Sequence, residues 1–309
     1  MGAAVSRSMN EEGSLAALLA PMSLATFRAE VYDKKPLLLR AADMSLPGAI
    51  RWADIENVIG DPAMLQGGQL SVSNVQGYHL DLLQLARKQG ISPEQVAQRA
   101  LDAGGMIYLR GFAQQHHRAR ALMHMLEHAL GSFMHAENGL FVSFPGKSTG
   151  LHSDLAPTFV FMLQGRKRWR VYQEQSAPGV SGIPKEAVAL GEPVIDAVLE
   201  PGDVLYFPAR CYHHAEAVTS CALLSFAEWR ATGRDLLTVI SRYLRQKHPE
   251  FADRELHHKL PPDAFASEAN ALFDDLESLV LTEEFHRYFR DSIEAQRFAP
   301  PLHLPADLR

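Results

Sequence analysis

Two histidines and an aspartate near the middle of the chain have the types and spacing of a metal site. His152 and Asp154 stand two residues apart in one segment, and the adjacent His213 and His214 follow much later in the chain. Two imidazoles and one carboxylate are the ligand set of the facial triad that binds non-haem Fe(II) and leaves coordination positions open. The pattern therefore indicates an iron site built from His152, Asp154 and one of the two later histidines.

The spacing of these residues also predicts which elements must carry them. On a strand, His152 and Asp154 would project from the same face and could reach one ion. His213 and His214 would alternate on a strand, so only one of them is expected to point inward. The later histidine lies far from the first segment in sequence, so the fold must bring distant strands together. Rolled antiparallel sheets such as jelly rolls do this.

A further candidate for chemistry is a lysine in a short basic cluster. Lys167 lies between Arg166 and Arg168, directly after the apolar run Phe159–Gly165. By strand alternation, Lys167 faces away from both arginines and is the member expected to point inward. A buried lysine needs a partner charge, and a dicarboxylate such as 2-oxoglutarate would supply one. The alternative is an ordinary solvated cation in a turn.

Composition limits the classes of protein and of partner. A hydrophobic content of 47% over 309 residues is sufficient for a globular core. The net charge of −6 argues against a mainly electrostatic nucleic-acid surface, so no direct nucleic-acid binding is expected. No apolar run reaches the roughly 18 residues of a membrane span. Cys211 and Cys221 are too few for a disulfide framework and are typical of a reducing compartment, so a cytoplasmic location is expected.

The order of predicted elements divides the chain into three regions. Residues 1–134 mix helices with short strands, including a helix at Trp52–Ile59. Residues 135–231 contain many short apolar runs separated by glycine, proline and polar turns, which is typical of a sandwich or barrel. Residues 232–309 are mainly helical, and their apolar positions fit packing on the same domain or on a second subunit equally well. The predicted fold class is therefore mainly β with α. Three of the predicted strands are Leu70–Ser73, Val204–Phe207 and His214–Val218.

The motifs of the central region resemble the JmjC branch of the cupin superfamily, the Fe(II)- and 2-oxoglutarate-dependent oxygenases. The resemblance covers residues 135–231 and rests on three stretches: Gly150–Asp154, Phe161–Tyr172 and Leu199–Pro208. The segment at residues 34–39 is similar to the corresponding sequence of the ribosomal-oxygenase subgroup and of bacterial cupin-like proteins. The resemblance implies a double-stranded β-helix (jelly-roll) core, a mixed N-terminal region and a C-terminal helical appendage that could form a homodimer.

The resemblance also implies a role for each candidate metal ligand. In this family the H-x-D pair and the late histidine bind iron, which implies His152, Asp154 and His213 as the metal ligands and the catalytic centre. His213 is preferred because of its position in the family pattern, and His214 is the alternative. Related halogenases lack the carboxylate, so the presence of Asp154 favours hydroxylation over halogenation.

Cosubstrate binding is implied in the same way. The cation at the end of the strand binds the C5 carboxylate of 2-oxoglutarate in this family, which implies Lys167. A hydroxyl three residues before the first ligand often assists, which suggests Thr149. Ser143, on the preceding strand, is a weaker candidate of the same kind.

The implied reaction is hydroxylation of a protein or peptide side chain, with decarboxylation of 2-oxoglutarate to succinate. Ribosomal proteins are one candidate class of substrate. The alternatives are a small-molecule or natural-product hydroxylase of the same chemistry, a lysine demethylase, and a metal-binding cupin without oxygenase activity. The fold alone does not decide between substrates.

One motif competes with this interpretation. The segment from His124 to His128 fits the H-x-x-E-H pattern of zinc proteases. His124 and His128 would share one face of a helix, so a zinc site is geometrically feasible. No third zinc ligand is evident, however, and Leu122, Met123 and Leu126 fit an amphipathic helix that covers a core. We therefore expect a structural helix here.

Overall fold

The computed structural model describes most of the chain. The described residues are 11–40, 50–61, 70–73, 80–132, 134, 138–184 and 186–295. Residues 1–10 and 296–309, which the predicted terminal regions include, lie outside them. The chain divides into two compact units, Met1–Trp229 and Arg230–Arg309.

The first unit contains ten described strands, all paired antiparallel. Their bounds are β1 Leu37–Leu39, β2 Leu70–Ser73, β3 Met106–Arg110, β4 Asn138–Ser143, β5 Thr158–Gln164, β6 Lys167–Gln175, β7 Ile195–Leu199, β8 Val204–Phe207, β9 Cys211–Ala217 and β10 Cys221–Ala227. Seven of them form a sheet in the order β1-β8-β5-β10-β4-β3-β2, and the other three form a sheet in the order β7-β6-β9. The strands β1, β2 and β3 from the predicted N-terminal region thus extend the large central sheet.

Helices also belong to the first unit. Their bounds are α1 Glu11–Leu19, α2 Leu24–Thr26, α3 Trp52–Ile59, α4 Leu82–Gln89, α5 Pro93–Asp102, α6 Phe112–Gln115 and α7 His117–Leu130, with a π-helical segment at Phe27–Val31. The start of α5 follows from its sequence, since Ser92 caps the helix in a capping box with Gln95. The end of α7 follows in the same way, since Gly131 adopts the left-handed conformation that stops a helix.

Alternation along the strands separates two hydrophobic layers. On β5, Phe159 and Phe161 belong to a core that includes residues of α1 and α7. Val160 and Met162, on the opposite face, belong to a second core shared with the three-stranded sheet. Because successive side chains on a strand point to opposite faces, the large sheet is covered by helices on one side and by the small sheet on the other. Side chains of both sheets meet in this inner layer.

The segment that carries the H-x-D pair differs from the predicted strand. His152 forms an isolated bridge with His213, whereas the next residue, Ser153, forms one with Gly182. Successive residues therefore bond to different partners, and no continuous ladder can form. The expectation of a regular strand here is wrong, although the segment still runs antiparallel to β9 at His152.

The second unit is helical. Its bounds are α8 Gly233–Lys247, α9 Pro249–Ala252, α10 Pro262–Val280 and α11 Glu283–Glu294. Tyr243 and Phe285 are buried together in its core, with ring centroids 5.1 Å apart. Within the described parts of the chain, none of the helices combines the length and apolar character that crossing a bilayer requires.

The turn between β5 and β6 provides a test of how the fold positions Lys167. Gly165 adopts a φ of 69°, and a Cβ there would lie 2.0 Å from the carbonyl oxygen of Ser220. We expect Gly165→Ala to lower the free energy of unfolding by more than about 2 kcal/mol, because a left-handed backbone cost of about 1–2 kcal/mol is added to a backbone clash. The measurement is urea denaturation followed by circular dichroism.

The matched control is Gly179→Ala. Gly179 also has a left-handed φ of 79°, but nothing lies within 4 Å of a Cβ placed there. We expect a loss of only about 1–2 kcal/mol, the conformational cost alone. Equal losses in the two variants would contradict the clash at Gly165.

Candidate metal centre and its cavity

Three side chains with metal-ligating groups converge in the inner layer. His152, Asp154 and His213 each offer one ligand atom, and these atoms lie within 4.8 Å of one another. Across the residues for which coordinates are described, this is the one group of three or more histidine, cysteine or acidic side chains that meets this condition. The grouping expected from the spacing in the sequence is thus present in the structure.

Backbone pairing holds the two histidines side by side. The N–H of His152 donates to the carbonyl of His213 at 3.0 Å, and the N–H of His213 donates back at 2.8 Å. As a result, the two ring centroids are 4.1 Å apart. The main chain at Asp154 is anchored, because its carbonyl accepts the N–H of Arg210 at 2.6 Å.

Hydrogen bonds to carbonyl oxygens determine the tautomers of both rings. The Nδ1 of His152 is 3.1 Å from the oxygen of Gly150, and the Nδ1 of His213 is 3.0 Å from the oxygen of Cys211. A carbonyl oxygen can only accept, so both Nδ1 atoms carry the proton and a neutral ring leaves Nε2 free as a ligand. The Nε2 of His213 is 3.5 Å from Oδ2 of Asp154.

Electrostatics favour the neutral form of the ring at the buried position. His213 is 2% exposed. Burial, together with the neighbouring ring of His152, lowers the pKa of His213 to about 4. The imidazole is therefore neutral at physiological pH, which is the form that binds a metal.

The adjacent His214 points away from this group. Its Nε2 is 2.6 Å from the hydroxyl of Ser148, and its Nδ1 is 3.3 Å from the guanidinium of Arg170. Both ring nitrogens are therefore engaged on the outer face of β9, while His213 faces inward, as strand alternation requires.

Lys167 begins β6 and is almost completely enclosed. It is 1% exposed, and its Nζ lies 3.0 Å from the hydroxyl of Ser143 and 6.0 Å from the ring centroid of Trp169. No described carboxylate forms an ion pair with it. Burial lowers the pKa of Lys167. Its neighbour Arg168 instead points outward and binds both carboxylate oxygens of Asp196 at 2.7 Å.

The lysine and the metal-ligating group share one cavity between the two sheets. Lys167, Thr149, His152, Asp154 and His213 all line it. Apolar side chains complete the wall and include Phe141, Val160, Phe207 and Leu223. A low-dielectric wall strengthens the attraction between a buried cation and an anionic ligand.

Two polar atoms at this cavity lack partners among the described protein atoms. They are Oγ1 of Thr149 and Nε1 of Trp169, and both are buried. A buried polar atom without a hydrogen bond costs about 1–3 kcal/mol, so such atoms favour a ligand that can bond to them. Together with the unpaired cation and the nitrogen and oxygen ligand set, they fit a metal and an anionic molecule bound side by side.

Ser143 and Trp169 lie close to Lys167. Ser143, a candidate cosubstrate residue, contacts Lys167 rather than lining the cavity. Trp169, which belongs to the inner core, also lines the cavity. The signal for it was present in the sequence, because Trp169 is two residues after Lys167 and shares its face of β6.

The H-x-x-E-H segment forms part of the helical layer, as expected. Glu127 is buried in α7 and accepts the backbone N–H of Met134 at 2.6 Å. Its other oxygen is 3.1 Å from Nδ1 of His124. The carboxylate therefore ties the helix to the following chain, and it makes no three-residue metal-ligating group with His124 and His128 among the described side chains.

Comparisons with known proteins agree with this geometry. Residues 115–236 match the model of the JmjC domain. Ribosomal oxygenase 1 of Homo sapiens is 30% identical over 250 residues, which is 72% of this chain and 35% of that protein. The bifunctional lysine-specific demethylase and histidyl-hydroxylase NO66 of Drosophila persimilis is 27% identical over 217 residues, 65% of this chain and 29% of that protein. This chain thus spans about a third of the length of these curated relatives.

A solved structure is similar over most of the chain. The ribosomal oxygenase YcfD from Escherichia coli, in complex with cobalt and 2-oxoglutarate, has a TM-score of 0.62 and 17% sequence identity. The match covers 91% of this chain and 74% of that one. At this identity the likeness establishes the fold, and it confirms the predicted fold class. The chain therefore contains a JmjC domain with the cupin-like jelly-roll fold and is similar to the ribosomal oxygenases.

Proposed function

We propose that this protein is an Fe(II)- and 2-oxoglutarate-dependent oxygenase that hydroxylates a protein or peptide side chain and converts 2-oxoglutarate to succinate. One observation carries the proposal. A buried lysine without a carboxylate partner among the described residues lines the same cavity as three metal-ligating side chains. A metal site alone does not need such a cation, whereas a dicarboxylate cosubstrate does.

Each residue has a definite role in this proposal. His152, Asp154 and His213 hold the metal through two Nε2 atoms and a carboxylate oxygen, and they leave coordination positions open. Fe(II) held there would supply the activation of O2 for hydroxylation, with 2-oxoglutarate as the co-reductant. The ammonium of Lys167 binds the C5 carboxylate of 2-oxoglutarate.

Neighbouring hydroxyls and apolar groups orient the cosubstrate. Ser143 accepts a hydrogen bond from Lys167 and holds its Nζ in place. The unpartnered hydroxyl of Thr149 is available to the cosubstrate. Val160 and Phe207 keep bulk water from the ion pair, which raises the free energy gained when the carboxylate binds.

The relatives support a proposal for the substrate class. The relatives named above include ribosomal oxygenases and a protein named as both demethylase and histidyl-hydroxylase. We therefore propose a protein substrate, with ribosomal proteins as the first candidates. Lysine demethylation, a small-molecule hydroxylase of the same chemistry and a cupin without oxygenase activity are the remaining alternatives.

The predicted homodimer and cytoplasmic location stay proposals. The second unit exposes large apolar side chains, among them Leu237, Phe273 and Leu281. We propose that a second copy of the chain covers these side chains.

Lys167→Met tests whether the buried charge is retained for a ligand at the expense of stability. Burial lowers the pKa of Lys167 in the folded chain. At pH values between this lowered pKa and the ordinary lysine pKa, the unfolded chain therefore binds more protons than the folded chain. Stability of the wild type therefore rises with pH across that interval. Without metal or cosubstrate, we expect Lys167→Met to gain about 1–3 kcal/mol of unfolding free energy at neutral pH, and the gain should shrink at alkaline pH. Urea denaturation at several pH values measures both effects.

Arg168→Met is the matched control, since Arg168 is adjacent and exposed. Its loss of an exposed ion pair should leave the unfolding free energy nearly unchanged, because solvent screens such pairs. A large loss of stability in Lys167→Met would contradict the proposal, because it would give the lysine a structural role.

Turnover tests the proposed activity. With Fe(II) and O2, the purified protein should convert 2-oxoglutarate to succinate, measured by mass spectrometry. His152→Ala should lose this conversion because a metal ligand is removed, and Lys167→Ala should lose it because the C5 carboxylate has no counter-ion. Arg168→Ala should retain it. Conversion that is unchanged in both His152→Ala and Lys167→Ala would rule out the assignment.

The substrate is tested by the mass of cellular proteins. We expect a gain of about 16 Da, one oxygen atom, on a protein or peptide in wild-type cells that is missing from a deletion strain and from a strain carrying His152→Ala. Ribosomal proteins should be examined first by intact-mass and peptide measurements. Loss of a methyl group in place of a gained oxygen would favour demethylation.

A further inference from the structure

A chain of hydrogen bonds joins His214 to the metal-ligating group, although His214 points away from it. The chain starts at Arg170, whose NH1 lies 3.3 Å from Nδ1 of His214. A guanidinium has donors only, so Nδ1 of His214 must be the acceptor. In a neutral ring the proton then resides on Nε2, which lies 2.6 Å from the hydroxyl oxygen of Ser148 and donates to it.

The next two bonds lead to His152. The hydroxyl oxygen of Ser148 also accepts the backbone N–H of Gly150 at 3.0 Å. The carbonyl of Gly150 in turn accepts the Nδ1 proton of His152 at 3.1 Å. The peptide groups on either side of Gly150 thus connect the ring of His214 to the ring of His152.

The turn that carries this connection is held on both sides. Gly150 adopts a φ of 70°, a left-handed conformation that needs glycine or external support. The backbone N–H of Thr149 donates to the carbonyl of Ala215 at 3.1 Å, which anchors the turn to β9. Arg170 is the register partner of His214 across β6 and β9, and its Nε lies 3.5 Å from Asp196. The outer end of the chain of hydrogen bonds is therefore fixed as well.

We propose that His214 is a positioning residue for the metal centre, acting through Ser148 and Gly150 to set the orientation and basicity of His152. The proposal rests on the metal site of the proposed function. Outer partners that hold the second nitrogen of a ligating histidine fix its tautomer and ring angle, and they strengthen it as a ligand. His214 would do this from the opposite face of β9. It contacts the hydroxyl of Ser148, which binds the N–H of Gly150, and the carbonyl of Gly150 contacts His152.

Cobalt binding by the full-length protein tests this role without turnover. Co(II) is titrated without 2-oxoglutarate, and the visible absorption of the bound ion gives both the Kd and a signature of ligand geometry. We expect His214→Leu and Ser148→Ala to weaken Co(II) binding by about tenfold and to shift the visible spectrum. The conservative His214→Gln can donate its amide N–H to Ser148 and should restore wild-type binding to within about threefold.

Two further variants calibrate the measurement. Glu216→Gln changes a side chain two residues from His214 on the same face of β9 and outside the chain of hydrogen bonds, so its Kd and spectrum should match the wild type. His152→Ala removes a ligand and should lose Co(II) binding at this site. Circular dichroism of the metal-free proteins identifies any variant that fails to fold.

The outcomes separate this proposal from the proposed function. Wild-type Kd and spectrum in a folded His214→Leu would overturn the positioning role. Binding lost as completely as in His152→Ala would make His214 a ligand and would also overturn it. If His214→Leu does not fold, Ser148→Ala decides by the same two criteria. Equal Co(II) binding by the wild type and His152→Ala would instead refute the metal site, and the positioning role with it.

Discussion

The hydrogen bonding of β9 on both of its edges is the constraint on which the site depends. One edge pairs with β6, so that His213 lies opposite Val171 and Ala217 lies opposite Lys167. The other edge holds the chain from Gly146 to His152, ending in the reciprocal bonds between His152 and His213. Because β9 has these two neighbours, ligands that are distant in sequence meet within one cavity, and Lys167 lines the same cavity.

The same constraint explains why the two faces of β9 make different contacts. Inward residues such as His213 and Ala215 belong to the cavity wall and the inner core. Outward residues such as His214 face Ser148 and Arg170. Alternation on a single strand thus gives one histidine a place in the metal-ligating group and the other a place in its support.

The cavity departs from ordinary core packing in a way that is costly to the folded chain. It contains an enclosed ammonium and two buried polar atoms that have no partner within the described protein. Packing on the other face of the large sheet offsets this loss of stability. There, aromatic and aliphatic side chains of β5, β8 and β10 pack against α1 and α7. Local violations of packing rules that are balanced elsewhere are typical of functional sites.

The sequence predicts local elements well and long-range pairing poorly. The bounds expected for α3, β2 and β8 agree with the structure, because periodicity and turn residues are local signals. Alternation also predicts the inward direction of Lys167. In contrast, β9 begins at Cys211, earlier than the expected start at His214, because its first residues are ordered by pairing with Gln175 and with the segment of His152.

The same limit applies to the site itself. The residue types and spacing predict the grouping of His152, Asp154 and His213. They cannot predict that the H-x-D segment forms isolated bridges, because that depends on which distant residues lie beside it. The contacts of His214 with Ser148 and Arg170 are likewise fixed only when three segments come together.

The metal site and the cosubstrate site can be tested together by a crystal structure of this protein with Co(II) and 2-oxoglutarate, with anomalous scattering to locate the metal. We expect one metal bound by Nε2 of His152, Nε2 of His213 and a carboxylate oxygen of Asp154, with 2-oxoglutarate bound beside it and its C5 carboxylate on Nζ of Lys167. A metal located elsewhere, or a cosubstrate whose carboxylate avoids Lys167, would contradict it.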